Sequence, residues 1–116
     1  MKPRLLVFEL RMMGDAIMSL PFIRAAQAQF EVHVACAPGG REVFEMVLPK
    51  ERVMVWDPPW LAEQGKYDVG RFMACGLGAF VRRIREARAE VAVSVWPDAR
   101  THILMALCGA KERLGF

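Results

Sequence analysis

Arg4-Leu5-Leu6-Val7-Phe8-Glu9 is the stretch that decides the fold, and it leads directly into Leu10-Arg11-Met12-Met13-Gly14-Asp15. Four successive apolar residues in the first stretch predict a strand that is buried on both faces, as in a parallel sheet. Apolar residues then recur at helical spacing from Ala16 to Ala26, so a helix follows. A strand, a tight loop and a helix form the repeating unit of an α/β protein.

The loop between this strand and this helix is the first candidate binding site. In open parallel sheets, ligands bind beyond the carboxyl ends of the strands. A helix N-terminus there offers free N–H groups and a positive dipole end to an anion. Gly14 would let the backbone take a positive φ or approach a ligand closely. Asp15 brings a carboxylate to the helix start, either as an N-cap or as a chemical group.

The rest of the chain repeats the same alternation. Strands are predicted over 31–37, 52–57 and 90–96, and a fifth begins at 113–116. Helices are predicted over 41–48, 72–88 and 103–108, with a kink or restart of the first helix at Pro21. Repeated βα units predict a sheet of at least four parallel strands. The loop Pro97-Asp98-Ala99-Arg100-Thr101 should then lie at the same rim as Asp15, as should the turn Pro38-Gly39-Gly40.

Three further features have both a structural and a functional interpretation. Arg100 stands near a helix start, which is unfavourable for a cation, and this favours anion binding over a plain surface role. Trp56 and Trp60 could form an aromatic surface for a sugar or lipid, although core packing is the commoner fate of tryptophan. A cluster of arginines ends the 72–88 helix and suits its dipole, the alternative being contact with an anionic glycolipid or membrane surface. The cluster consists of Arg82, Arg83, Arg85 and Arg88.

Composition predicts one folded domain with more apolar residues than a single core needs. The chain has 116 residues, of which 54% are hydrophobic and 25% charged, so a disordered chain is not expected. The apolar surplus suggests a surface covered by a partner. The net charge of +3 comes from residues 80–116 and forms no dense basic stripe with interleaved aromatic residues. A nucleic-acid partner is therefore not expected.

The cysteines and histidines do not predict a metal site. Three cysteines are an odd number, and no C-x-x-C pair is present, so neither a disulfide framework nor a zinc site is indicated. His33 is expected to be a packed or edge residue. No metal or other cofactor is predicted. A signal-peptide pattern and a long apolar run are both missing from these 116 residues, which together with the unpaired cysteines favours the cytoplasm.

Two motifs, one at each end of the chain, resemble those of the family 9 glycosyltransferases, which include the ADP-heptose–lipopolysaccharide heptosyltransferases. The first is Arg11-x-x-Gly14-Asp15, followed by Ser19-Leu20-Pro21 and a helix. The second is the strand 90–95 followed by a helix and Gly109-Ala110-Lys111-Glu112-Arg113-Leu114-Gly115-Phe116. The order and rough spacing match, so the resemblance spans the chain. Many relatives carry a glycine in the segment that matches 97–101, and this chain does not.

The resemblance implies a GT-B glycosyltransferase in which an N-terminal Rossmann-like domain, a parallel sheet flanked by helices, holds the acceptor. The 116 residues match that acceptor-side domain, in incomplete form, with the donor-binding C-terminal domain outside the chain. The implied reaction is inverting transfer of heptose from ADP-heptose to a lipopolysaccharide core or related glycan, without a metal. Asp15 matches the family's catalytic aspartate, which would act as general base. Arg11, Gly14, Arg100 and Thr101 fall in the segments implied to bind the acceptor.

The implied partners are therefore a nucleotide-sugar donor and an anionic glycolipid acceptor, with peripheral contact at the inner membrane surface. A hydrolytic glycosidase would need a second carboxylate across the scissile bond, and the rim offers Glu9 and Asp98. Two other interpretations remain open. One is a non-catalytic Rossmann-like module that binds a nucleotide or phosphorylated ligand, and the other is a structural or regulatory fragment.

Overall fold

The computed structural model describes residues 2–11, 13–59, 76–95 and 98–115. Its strands form one five-stranded sheet in the order β3-β2-β1-β4-β5, and every neighbouring pair is parallel. The strands are β1 Arg4–Glu9, β2 Glu31–Cys36, β3 Val53–Val55, β4 Val91–Ser94 and β5 Glu112–Leu114. The helices described here are α1 Met13–Ala26, α2 Arg41–Glu45, α3 Leu77–Glu86 and α4 Ala99–Leu107, with 3-10 turns at Pro38–Gly40 and Lys50–Arg52. This is an α/β Rossmann-like fold, and the predicted sheet of at least four parallel strands is confirmed.

Helices cover both faces of the sheet. Leu5 and Val7 of β1 belong to a core that includes buried residues of α1 and α2. Leu6 and Phe8 belong to a second core, with buried residues of α3 and α4. Alternate side chains of β1 thus pack into two different cores, because successive side chains of a strand point to opposite faces of the sheet. The apolar run in β1 is long because both of its faces are buried.

The first strand–loop–helix unit follows the prediction closely, with one difference. β1 has the predicted bounds, and α1 begins at Met13, two residues before Asp15. The predicted restart after Leu20 is wrong, because α1 continues through Pro21 as one helix. Pro21 and Ile17 are both exposed, so water can reach the Ile17 carbonyl that lacks its usual N–H donor.

The predicted helix over 72–88 does not run continuously through Gly76. Within the described residues, the helix starts at Leu77, and Gly76 before it has a φ of 73°, which no α-helix can include. The predicted apolar stripe is confirmed, since Phe80, Ile84 and Ala87 are buried. The predicted start at residue 72 lies outside the described residues, together with Trp60 and most of the loop that follows Trp56. Among the helices described, α1 is the longest, with 14 residues.

Four of the remaining elements are shorter than predicted, whereas α4, predicted over 103–108, begins earlier, at Ala99. β2 ends at Cys36, β3 covers only Val53–Val55, β4 ends at Ser94, and α2 ends at Glu45. The predicted turn after β2 is a 3-10 turn, and its last residue, Gly40, is buried. A Cβ at Gly40 would lie 3.3 Å from the Cβ of Ala16, so this turn packs tightly against α1.

The amino end of the sheet holds a cluster of charges around Glu31. Its carboxylate lies 3.0 Å from Nε of Arg4, 2.8 Å from Nε2 of His33 and 3.7 Å from Nη2 of Arg52. The hydrogen bond from His33 is the main reason that the pKa of Glu31 is lowered, with the two arginines adding to it. The prediction that His33 is a packed residue is confirmed, since its side chain is only 13% exposed.

The arginine cluster, which comprises three residues of α3 and Arg88 just after it, belongs to this same end. Arg4 donates a hydrogen bond of 3.0 Å from Nη1 to the carbonyl of Ala87, which places the end of α3 beside the start of β1. All four arginines are exposed. Because the end of α3 lies beside the start of β1, the cluster is at the opposite end of the sheet from Asp15. Helix C-termini usually lie there in parallel α/β sheets. The cluster is no part of a site formed around Asp15.

Candidate functional site

The described strands have a topological switch point between β1 and β4. From β1 the chain proceeds outward through β2 to β3, and then returns to the other side of β1 with β4 and β5. Consecutive crossovers in opposite directions leave a crevice beyond the carboxyl ends of the two central strands. Asp15 follows β1, and Arg100 follows β4. The prediction that these two residues lie at the same rim of the sheet is confirmed.

An open pocket of about 340 Å³ lies at this switch point, between α1 and the end of β4. Its polar lining consists of Asp15, Ser19 and Ser94. Its apolar lining consists of Met18, Phe22, Val93 and Val95. Phe22 and Val93 also line a neighbouring apolar pocket of about 390 Å³ that extends to Leu114 of β5. One carboxylate therefore stands at the end of a largely apolar groove.

Asp15 is the third residue of α1 and lies in its first turn. The interpretation of Asp15 as an N-cap is therefore wrong, because a cap precedes the first helical residue. A carboxylate in the first turn still interacts favourably with the helix dipole. The side chain is 21% exposed, and its Oδ2 lies 3.4 Å from Nε of Arg11. Asp15 and Arg11, predicted as a base and an acceptor-binding residue, are thus brought together.

Of the two roles predicted for Gly14, the positive φ is wrong, and the close approach of a ligand stays a prediction. Its φ is not positive, in contrast to Gly76 and Gly109. Among the described residues, a Cβ built on Gly14 would meet no atom within 4 Å. In that part of the chain, neither backbone conformation nor packing requires a glycine here. What remains is the open space above the first turn of α1, where the missing side chain leaves the backbone accessible to a ligand.

Arg100 and Thr101 lie in the first turn of α4, not on a rim loop as predicted. Asp98 is the N-cap of this helix, accepting a hydrogen bond of 2.9 Å from the N–H of Arg100. The guanidinium of Arg100 also donates to both carboxylate oxygens of Asp98, at 3.1 Å each. This pairing lowers the pKa of Asp98. It also offsets the unfavourable position of a cation at a helix start, which had favoured anion binding.

The structure does not bring Arg100 and Thr101 into the pocket of Asp15. Side chains of α4 pack on the face of the sheet opposite to α1. Thr101 is only 6% exposed. Both residues are therefore near the same rim as Asp15 but on the other side of the sheet, and their predicted role in acceptor binding remains a prediction.

The two rim carboxylates considered as glycosidase partners are both engaged within the protein. Glu9 is 1% exposed and accepts a hydrogen bond of 2.9 Å from the hydroxyl of Ser19. Asp98 caps α4 and pairs with Arg100. Neither is presented across the pocket from Asp15, so the geometry of the described residues does not favour a paired-carboxylate hydrolase.

Other candidate groups are structural. Trp56 is 6% exposed and stacks on Phe80 with ring centroids 4.6 Å apart, so it is a core residue and not a sugar platform. Cys36 and Cys108 are buried, as predicted, whereas Cys75 lies outside the described residues. Burial raises the pKa of both thiols, that of Cys36 to about 12, so neither is an activated nucleophile.

Among the residues that the structure describes, no cluster of three His, Cys, Asp or Glu side chains could hold a metal ion. In that same part of the chain, every helix is too short or too polar to cross a membrane. Comparisons with protein-family models, with curated proteins and with solved structures find no match.

Proposed function

We propose that this chain is the acceptor-side domain of an inverting glycosyltransferase of the heptosyltransferase type, with Asp15 as its general base. The observation that supports the proposal most directly is the partly exposed carboxylate of Asp15 in an open pocket at the switch point of a parallel sheet. Ligands of open α/β sheets bind at this position. The order of the motifs around Asp15 and at the end of the chain supports the same class of enzyme.

In the proposed reaction, an acceptor hydroxyl enters the pocket beside Asp15. Asp15 removes the proton while the hydroxyl oxygen attacks the anomeric carbon of the donor sugar. The bond from that carbon to the diphosphate breaks, the nucleoside diphosphate departs with the electron pair, and the anomeric configuration inverts. Arg11, whose Nε lies 3.4 Å from the Asp15 carboxylate, orients that carboxylate and adds positive charge for an anionic acceptor. The apolar wall formed by Met18 and Phe22 limits the access of water.

The exposed apolar surface of α1 supports the proposal that a second domain covers this helix. Met13, Ile17, Met18 and Phe22 are each more than 40% exposed. A helix that is apolar around its circumference is normally covered on all sides, and contiguous exposed apolar patches mark interaction sites. The proposed donor-binding domain would cover this surface and close the crevice above Asp15. We place the reaction at the cytoplasmic side of the inner membrane, where donor and glycolipid acceptor meet.

The proposal is tested by transfer assays with ADP-heptose and a lipopolysaccharide core acceptor, using the chain joined to its donor-binding domain. Asp15→Asn keeps the size of the side chain but removes the proton acceptor, so the turnover number should fall by about 10²–10⁴-fold. Acceptor affinity and melting temperature should change little. The 116-residue chain alone should show no transfer.

Asp57→Asn is the matched control, because Asp57 is an exposed carboxylate that follows β3 at the same rim but does not line the pocket. Its turnover number should equal that of the wild type. Undiminished turnover in Asp15→Asn would exclude Asp15 as the base. Binding of a nucleotide or phosphorylated ligand without transfer in any form would favour the non-catalytic module instead.

A further inference from the structure

A buried carboxylate beside Asp15 has no part in the proposed reaction. Glu9 is the last residue of β1 and is 1% exposed. Leu5 and Val7 of the same strand pack in the core beneath α1, and Glu9 shares their side of the sheet because side chains alternate along a strand. A charged side chain is rarely buried unless it is paired or hydrogen-bonded. A hydrogen bond that Glu9 makes is therefore expected to be costly to disrupt.

The hydroxyl of Ser19 connects the carboxylate of Glu9 to the backbone of Asp15. Oγ of Ser19 lies 2.9 Å from Oε2 of Glu9 and 3.0 Å from the carbonyl oxygen of Asp15. Ser19 is itself only 7% exposed, so water competes little for its proton. Both oxygens lie within hydrogen-bond distance of the same hydroxyl and share its single proton, so this hydroxyl lies between the end of β1 and the first turn of α1. Hydrogen bonds to carboxylates are stronger than neutral ones.

We propose that Glu9 and Ser19 are positioning residues that hold the first turn of α1, and with it the Asp15 carboxylate, at the mouth of the pocket. The inference rests on the proposed role of Asp15 as a base. Glu9 is too buried to touch a substrate, so its effect on the reaction passes through Asp15. The outer side of α1 is exposed, so contacts on its inner side must hold it in place. The hydrogen bond between Ser19 and Glu9 is one contact that can fix the position and rotation of the first turn of α1 relative to β1. A misplacement of about 1 Å at a reacting group can cost about 100-fold in rate.

Ser19→Ala removes the connecting hydroxyl and is the principal test in the enzyme with its donor-binding domain. The turnover number should fall by about 10- to 100-fold, while the KM for the acceptor changes by less than about threefold. Glu9→Leu should behave similarly. Glu9→Gln retains an oxygen that can accept from Ser19, so it should recover most of the wild-type rate.

A double-mutant cycle with Asp15 separates positioning from general destabilisation. If Ser19 acts through Asp15, then Ser19→Ala should cause no further loss of turnover in the Asp15→Asn background. Cys108→Ala is the matched control, because it removes another buried side-chain donor, bonded at 3.0 Å to the Met105 carbonyl, from the opposite face of the sheet. It should lower the melting temperature without changing the turnover number. Wild-type turnover in Ser19→Ala, or additive losses with Asp15→Asn, would overturn the inference.

A second measurement does not depend on activity. In NMR spectra of the 116-residue chain without ligand, Ser19→Ala and Glu9→Leu should move the amide resonances of Gly14 and Asp15, whereas Cys108→Ala should leave them in place. If no form of the enzyme transfers a sugar, the proposed function fails, and these resonances still decide whether Glu9 and Ser19 hold the turn. Unmoved Gly14 and Asp15 resonances in both variants would reject the positioning role.

Discussion

The two ends of the parallel sheet contain charged groups in opposite arrangements. At the amino end, the carboxylate of Glu31 is surrounded by Arg4, His33 and Arg52, all within 3.7 Å. At the carboxyl end, the Asp15 carboxylate faces an open pocket with an apolar wall, with Arg11 beside it. Charges that are paired with one another mainly stabilise the fold. A charge held beside open space is available to a ligand, and for this reason we propose that the carboxyl end is the functional end.

The largest effect on stability is expected at Gly40, in the tightly packed turn after β2 at the carboxyl end of the sheet. Gly40 has a φ of −92°, which any residue can adopt, but its Cβ position lies 3.3 Å from both Ala16 and Phe44. Gly40→Val should therefore lower the free energy of unfolding by about 1–3 kcal/mol through overpacking. Gly39→Val is the control, because a Cβ there would make only ordinary contacts of 3.8 Å or more. Equal denaturation midpoints for the two variants would show that the turn is not packed as described.

A smaller effect on stability, of opposite sign, is expected at Gly14, which lies beside the open pocket at the same end of the sheet. Gly14→Ala adds a Cβ that meets no atom within 4 Å in a helix, so it should raise the free energy of unfolding by about 0.5–1 kcal/mol. Gly78→Ala in α3 has the same open surroundings and should give the same gain. If a ligand approaches the backbone at Gly14, only Gly14→Ala should weaken acceptor binding in a titration. Equal acceptor affinities in both variants would remove Gly14 from the site.

The smallest effect is expected at the amino end and depends on pH. Because the folded-state pKa of Glu31 lies below its ordinary value of 4.5, its ion pairs contribute stability that is fully present above about pH 4.5. That contribution is lost as the pH falls through the folded-state pKa. Glu31→Gln should lower the free energy of unfolding by less than about 1 kcal/mol at pH 7, since the pairs are partly exposed.

Urea titrations at pH 7 and pH 3 check this expectation for Glu31. The difference between wild type and variant should shrink on acidification, because protonation removes from the wild type the charge that the variant lacks. A difference that grows toward pH 3 would contradict the assignment of the amino end as a set of stabilising ion pairs. If the proposed function holds, sugar transfer by the chain joined to its donor-binding domain should be unchanged in Glu31→Gln.

Local sequence patterns predicted the elements of this fold well where hydrophobic periodicity was long and uninterrupted. The bounds of β1 were predicted correctly, and the buried stripe of α3 was confirmed. Two predictions were wrong: a restart of the first helix at Pro21, where the helix continues, and an unbroken helix through Gly76, whose positive φ separates α3 from the preceding residues. Both positions depend on surroundings that periodicity does not describe, namely solvent access to a freed carbonyl and a backbone angle open to glycine.

The roles predicted for the candidate site residues stay predictions, and their positions differ. Asp15 and Arg11 lie close together beyond β1, whereas Arg100 is paired with Asp98 on the other side of the sheet. Glu9 was considered as a catalytic partner, and its actual contact with Ser19 was missed. One signal could have revealed it, since Glu9 occupies an alternate position of β1 that shares a face with Leu5 and Val7, beneath α1.

The sequence by itself determined that strands and helices alternate, that β1 is buried on both faces, and that a carboxylate lies at the start of the first helix. These properties depend on neighbours within a few residues, because side-chain periodicity and glycine or proline punctuation act locally. Only the tertiary structure decided that β4 returns beside β1, that α1 and α4 lie on opposite faces, and that the α3 arginines are far from Asp15. Those properties depend on strand order and crossover direction, which are set by pairing between residues far apart in the chain.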